Sequence, residues 1–184
     1  MILKQLFAIS FTLVSTLASA GETNQYQQGE HLFRTAGGYG CSTCHGMFAQ
    51  GGGNVGGNIR GATLSDINAR LDNEPTMQLL SAALSAENRE DLAFYLTEMG
   101  KLTLIEWTIE DKANETNISL KSGTNSQLVI FNKKLEPVSL VLTGIAPEKT
   151  ITIQPYETKA FDWLASKGDF QLAHQQNTIN ISVK

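Results

Sequence analysis

Cysteine and histidine are scarce. The 184-residue chain has two cysteines and three histidines, which excludes a multi-disulfide scaffold and a multi-metal cluster. Positive charge is not in excess. Fourteen Lys and Arg stand against eighteen Asp and Glu, a net charge of −4, so no basic stripe for nucleic acid is expected. The only long apolar run lies at the very start, which argues against a polytopic membrane protein. Internal repeats and low-complexity tracts are absent. Lysine is missing from residues 22–100 and arginine from residues 101–184. What the chain does have is 41% hydrophobic and 17% charged residues. That is enough apolar surface for a packed core, in one ordinary domain or two small ones.

Residues 1–20, MILKQLFAISFTLVSTLASA, have the grammar of a secretory signal peptide. Lys4 supplies a short positive region, Leu6–Leu17 an apolar stretch too short to span a bilayer, and Ala18-Ser19-Ala20 a small-residue cleavage site. The expectation is an exported, periplasmic or secreted chain that starts at Gly21. No transmembrane segment remains after cleavage, and association with a membrane complex stays open.

The remainder divides by composition. Residues 22–100 carry four arginines and nine acids, and ten of the sixteen glycines fall within Gly37–Gly61. Residues 101–184 carry nine lysines and nine acids. The shift places a boundary near Met99-Gly100, with Gly100 as a helix C-cap. In the first part, helices are expected over Tyr26–Arg34, over Thr63–Leu71 (Leu64, Ile67 and Leu71 on one face), and over Ser85–Met99 behind the N-cap Ser85. Pro75 breaks the chain between the last two. In the second part apolar residues alternate at period two: Ile105/Trp107/Ile109, Ile118/Leu120, Leu128/Ile130, Val138/Leu140/Leu142, Ile151/Ile153, Phe161/Trp163, Phe170/Leu172 and Ile179/Ile181/Val183. Turn signals separate them, so an antiparallel β-sandwich is expected.

Chemistry concentrates in Cys41-Ser42-Thr43-Cys44-His45. C-x-x-C-H is the attachment signature of c-type haem. Two thiols three positions apart on one turn can each add to a vinyl group, and the adjacent imidazole then lies under the iron as the proximal ligand. A thioredoxin-like pair would need a strand before Cys41, and a zinc site would need ligands beyond His31 and His174.

With these features in place, residues 22–100 resemble a class I cytochrome c domain. The resemblance rests on Gly29 and Phe33, the run GCSTCHG at 40–46, Asn58-Ile59-Arg60-Gly61, a following methionine, and LSAENREDLAFYL at 84–96. It implies crossing terminal helices with Gly29 opposite Tyr95, and Leu92 and Leu96 lining the cofactor side. It also implies haem thioethers at Cys41 and Cys44, and iron ligation by His45. Met77, 32 residues after His45, is at the interval where the family places its distal ligand. The usual Met-Pro pair is absent, since Gln78 follows. Met47 is too close to His45 to cross the cofactor, Met99 fits the helix stripe, and His31 lies in the first helix. With both axial positions filled the task is one-electron transfer between redox proteins, not catalysis. An open distal face would allow peroxide or gas chemistry instead.

Residues 101–184 resemble, more weakly, a cupredoxin-like sandwich, through Leu128–Asn132, Glu136–Gly144, Ile153–Thr158 and Gly168–Leu172. A blue-copper site wants two His, a Cys and a weak axial Met. Val138 stands where the first His would fall and His174 near the expected Cys, so no copper is expected. The whole chain therefore reads as multidomain: a signal peptide (1–20), an all-α haem domain (21–100) and an all-β antiparallel sandwich (101–184). Its cofactor would be one covalent haem c. A subunit of a larger oxidoreductase, docked through the sandwich and lysines such as Lys133, Lys134, Lys149, Lys159 and Lys167, is the alternative to a free carrier.

Overall fold

A computed structural model describes residues 17–53, 55–146 and 150–184. Most of the signal-peptide expectation, residues 1–16, lies outside the described residues. The chain is built from helices followed by strands. Helix α1 (Leu17–Thr35) is followed by a short 3-10 turn, Ala36–Gly38, and a one-turn helix α2 (Ser42–His45). Helices α3 (Leu64–Asn73), α4 (Pro75–Ser81) and α5 (Ala86–Lys101) complete the helical part. Helix α1 is longer than the sequence suggested and runs through the Ala20–Gly21 junction.

Local chemistry explains the helix starts. Thr63 caps α3 reciprocally: its hydroxyl accepts from the Asp66 N–H while the Asp66 carboxylate accepts from the Thr63 N–H. The Ser85 hydroxyl accepts from the Asn88 N–H at the start of α5. Pro75 does break α3, yet it also opens α4 as its first residue, where a missing N–H costs nothing. Gly100 is not a C-cap. Helix α5 continues through it to Lys101, and the glycine serves close approach, because a Cβ there would stand 2.5 Å from the Gly61 Cα.

Eight strands follow: β1 (Thr103–Ile109), β2 (Asn114–Leu120), β3 (Asn125–Asn132), β4 (Val138–Val141), β5 (Thr150–Ile153), β6 (Thr158–Leu164), β7 (Gly168–His174) and β8 (Asn177–Val183). Each contains one of the alternating apolar runs. They form three sheets, ordered β1-β3-β6, β2-β8-β7 and β4-β5. Two pairings, β1 with β3 and β2 with β8, are parallel, which corrects the expectation of an all-antiparallel sandwich. The reason is the connection out of β1. The chain crosses to another sheet for β2 and returns to the first as β3, so β1 and β3 run in the same direction. The three sheets share one core, in which Trp107, Ile109, Leu128, Ile130 and Ile153 are essentially inaccessible to solvent.

A second core fills the helical part. Phe33, Leu71, Tyr95, Leu96 and Met99 are its most buried large side chains. Helices α1 and α5 cross at Gly29, where a Cβ would lie 2.7 Å from the Tyr95 Cβ. The crossing that the resemblance implied is thus present. Tyr95 also packs against Tyr26, with ring centroids 5.1 Å apart, and against Phe33, at 5.5 Å.

Candidate functional site

The Cys41–His45 turn is held by its own backbone. The N–H groups of Cys44 and His45 both donate to the Cys41 carbonyl, at 3.1 and 2.9 Å. One helical turn therefore carries both thiols and the imidazole. Gly46, at φ +80°, ends it in a conformation that side chains resist. The following loop folds back over the turn: Gly51 N–H donates to the His45 carbonyl at 2.7 Å, and Gly56 N–H to the Cys44 carbonyl at 2.8 Å.

The imidazole has a defined tautomer. His45 Nδ1 lies 2.8 Å from the Gly57 carbonyl oxygen. A carbonyl only accepts, so Nδ1 carries a proton, and in the neutral ring Nε2 keeps its lone pair, the arrangement of a metal-ligating histidine. Space is tight on the Nδ1 side, where a Cβ on Gly56 would stand 2.5 Å from Nδ1.

The two thiols differ. Cys41 is buried and Cys44 half-buried, and neither is in a disulfide. Burial pushes the Cys41 thiol up from 9.0 to about 11, with the neighbouring Cys44 adding to the rise. A buried thiol held protonated is a poor nucleophile, which weakens Cys41 as an exchanging thiol.

Met77 lies on α4, half-buried against the same helical core that includes Cys41. The other two described methionines have partners. Arg34 Nη1 donates to Met47 Sδ at 2.7 Å, and the Tyr26 hydroxyl to Met99 Sδ at 3.3 Å. His31 is exposed on α1. Leu92 and Leu96 are buried in the helical core. Cys41, Cys44 and His45 are therefore brought together, and Met77 joins their core from a separate helix.

Sequence reasoning missed Arg60. Its guanidinium donates to the carbonyls of Phe48 and Leu102, both at 3.3 Å, and to Gln127 Oε1 of β3 at 2.6 Å. Gln127 in turn donates to Asp162 Oδ1 of β6 at 2.7 Å. Burial pulls the Arg60 pKa down, and Tyr95 and Asp162 oppose that pull. A cavity of about 310 Å³ lies at this junction, lined by Tyr26, Glu30, Tyr95, Met99, Gln127 and Asp162. The only sequence signal was an isolated arginine in a glycine-rich loop; nothing local marks a partner 67 positions away.

No family model matches the chain, and no curated protein matches it. Among solved structures it is similar to a laccase from Pediococcus acidilactici, at 7% identity and a TM-score of 0.35, over 44% of this chain and 26% of the laccase. It thus spans about a quarter of that enzyme's length. It is also similar to a point mutant of amicyanin with Cu(I), at 11% identity and a TM-score of 0.32, over 44% of this chain and 81% of amicyanin. A copper binding protein in the apo form matches at 16% identity and a TM-score of 0.32, over 44% of this chain and 86% of its own. The solved neighbours have a cupredoxin-like β-fold.

These neighbours correct the cofactor expectation of one haem c and no copper. They are a laccase, an amicyanin with Cu(I) and a copper binding protein, and the expectation of haem c is not carried further. The sheet residues do not themselves fit a blue-copper centre. Between residues 101 and 184 His174 is the only histidine, with no cysteine and no methionine. His174 ends β7 with its Nε2 buried and without a hydrogen-bond partner, so it is not the plain surface residue that its strand-end position suggested. Among the described residues no group of three or more His, Cys, Asp and Glu could hold a metal ion.

Of the lysines named for docking, one is not an exposed charge. Lys134 is buried, with its ammonium 2.7 Å from Glu136 Oε1 and 2.6 Å from Gln175 Oε1. Lys149 lies outside the described residues. No described helix is long and apolar enough to cross a membrane.

Proposed function

We propose that the chain is an exported one-electron transfer protein. In this reading residues 21–100 form the redox part of the chain, and its metal is held at the Cys41–His45 turn. The observation that carries the reading is the His45 imidazole, whose Nδ1–H is committed to the Gly57 carbonyl. Its Nε2 lone pair is thereby presented beside two thiols on one turn. Met77, on the same core, is the proposed further ligand; a thioether there would favour the reduced metal. The proteins that give and take the electron are redox partners of the helical domain.

The test is elemental analysis for copper and iron, with intact mass and redox titration, on the full chain purified from an exporting host. The expected result is one redox-active metal per chain. It is lost in His45→Ala and in the Cys41→Ala/Cys44→Ala double variant, and its potential shifts in Met77→Ala. A folded, metal-free chain whose thiols react freely with maleimide overturns the reading.

A further inference from the structure

We propose that the sheet part of the molecule positions His45, through Arg60 and Gln127. The imidazole is oriented by the Gly57 carbonyl. Gly57 belongs to the loop 46–61, whose internal bonds run from Gly46 to Ala49, from Ala49 to Ile59 and from Asn58 to Arg60. Further bonds tie it to the turn, from the Gly51 N–H to the His45 carbonyl and from the Gly56 N–H to the Cys44 carbonyl, and to α5, from the Gly61 N–H to the Leu96 carbonyl. Arg60 adds the tie to the sheets. One guanidinium ties the start of the loop at Phe48, the end of the helical part at Leu102, and β3 at Gln127.

The anchor is firm at the other end. Gln127 is buried in β3, between the β1 and β6 registers, and its amide N–H is used by Asp162. Its Oε1 is thus aimed at Arg60, and a charge-assisted bond of 2.6 Å fills it. A half-buried guanidinium that lost this acceptor would leave donors unpaired in a low-dielectric junction. The loop would then shift toward water, and the Gly57 carbonyl with it. The sheets therefore act on the imidazole at a distance, as a brace rather than as a second metal domain. Arg60 and Gln127 are positioning residues. What the brace means for electron transfer rests on the function proposed above; the brace itself does not.

The test is the tautomer of His45, read from long-range proton–nitrogen spectra of the full 15N-labelled chain in its metal-free form. Wild type is expected to show a single Nδ1-protonated ring. In Gln127→Leu and in Arg60→Gln the two ring nitrogens should move toward the averaged positions of a free imidazole. Amide exchange at Gly51 and Gly56 should accelerate about fivefold, the loss of one ordinary hydrogen bond, while resonances at the Gly29–Tyr95 crossing stay in place. If Arg60→Gln does not fold, Gln127→Leu answers alone, since its change lies in the sheets. A wild-type His45 signature in folded Gln127→Leu overturns the proposal. A chain that binds no metal removes the proposed function and leaves this readout intact.

Discussion

Gly29 and Tyr95 are in contact at the crossing of α1 and α5, and the glycine is there because nothing larger fits. A Cβ on Gly29 would stand 2.1 Å from the Asp91 carbonyl oxygen and 2.7 Å from the Tyr95 Cβ. Alanine normally favours a helix over glycine by about 1 kcal/mol. Here the clash is with backbone and decides the sign. Gly29→Ala is expected to destabilise the helical part by about 1–3 kcal/mol, measured by urea unfolding followed through helical circular dichroism. An unchanged or raised midpoint would show that the helices part without cost.

Two adjacent glycines should behave in opposite ways. A Cβ on Gly56 meets His45 Nδ1 at 2.5 Å and the Cys44 carbonyl oxygen at 2.6 Å, whereas a Cβ on Gly57 meets nothing within 4 Å. Gly56→Ala should displace the imidazole and lower metal content, and Gly57→Ala should leave both intact. Metal analysis of the two variants side by side checks this. Equal loading would detach the His45–Gly57 bond from ligand presentation.

Tyr26 sets an alkaline limit. Burial first, then Glu30 and Asp162, push its phenol up from 10.0 to about 12. The unfolded chain releases this proton near pH 10 while the folded chain holds it. The stability it contributes is fully present below pH 10 and is lost as pH rises from 10 to about 12. Denaturant unfolding across that window should show stability falling more steeply in wild type than in Tyr26→Phe. Parallel slopes would place the burial elsewhere.

Trp107 tests the sheet core. It is 1% exposed, and its Nε1–H has no partner. Trp107→Ala should cost about 3–5 kcal/mol through the cavity it leaves. Trp107→Phe removes the orphaned donor along with part of the volume, so its cost should be well below that of the alanine change. Guanidinium unfolding of both variants decides. A phenylalanine variant as unstable as the alanine variant would mean that the indole N–H is satisfied.

What the sequence made legible was local. The alternation of Ile105, Trp107 and Ile109 announces a strand with one buried face, and the structure has it as β1, with all three residues buried. Thr63 and Ser85 announce helix starts through their own hydroxyls. Gly29 and Tyr95 were paired by resemblance and do meet. What stayed hidden was relational. Period-two alternation says which face of a strand is buried, not which strand lies beside it, so the parallel pairing of β1 with β3 left no mark. Gly100 carries the same letter as a helix stop, yet it is there to let Gly61 approach. Arg60 stood only as one letter of the Asn58–Gly61 segment and Gln127 in no motif at all, and neither points to the other until the fold brings them within 2.6 Å.

The parallel pairing of β2 with β8 also orders events in time. Asn114 is matched with Asn177, and β8 lies between β2 and β7 in its sheet. As the chain emerges in an unfolded form, β2 has no strand to bond until everything up to β8 has followed. Sheet β1-β3-β6 can close earlier, because β6 ends at Leu164. Arg60 and its acceptor Gln127 belong to parts that are complete by then. The brace on His45 can thus form while β2 still waits, and closure of the last sheet is the slow, non-local step.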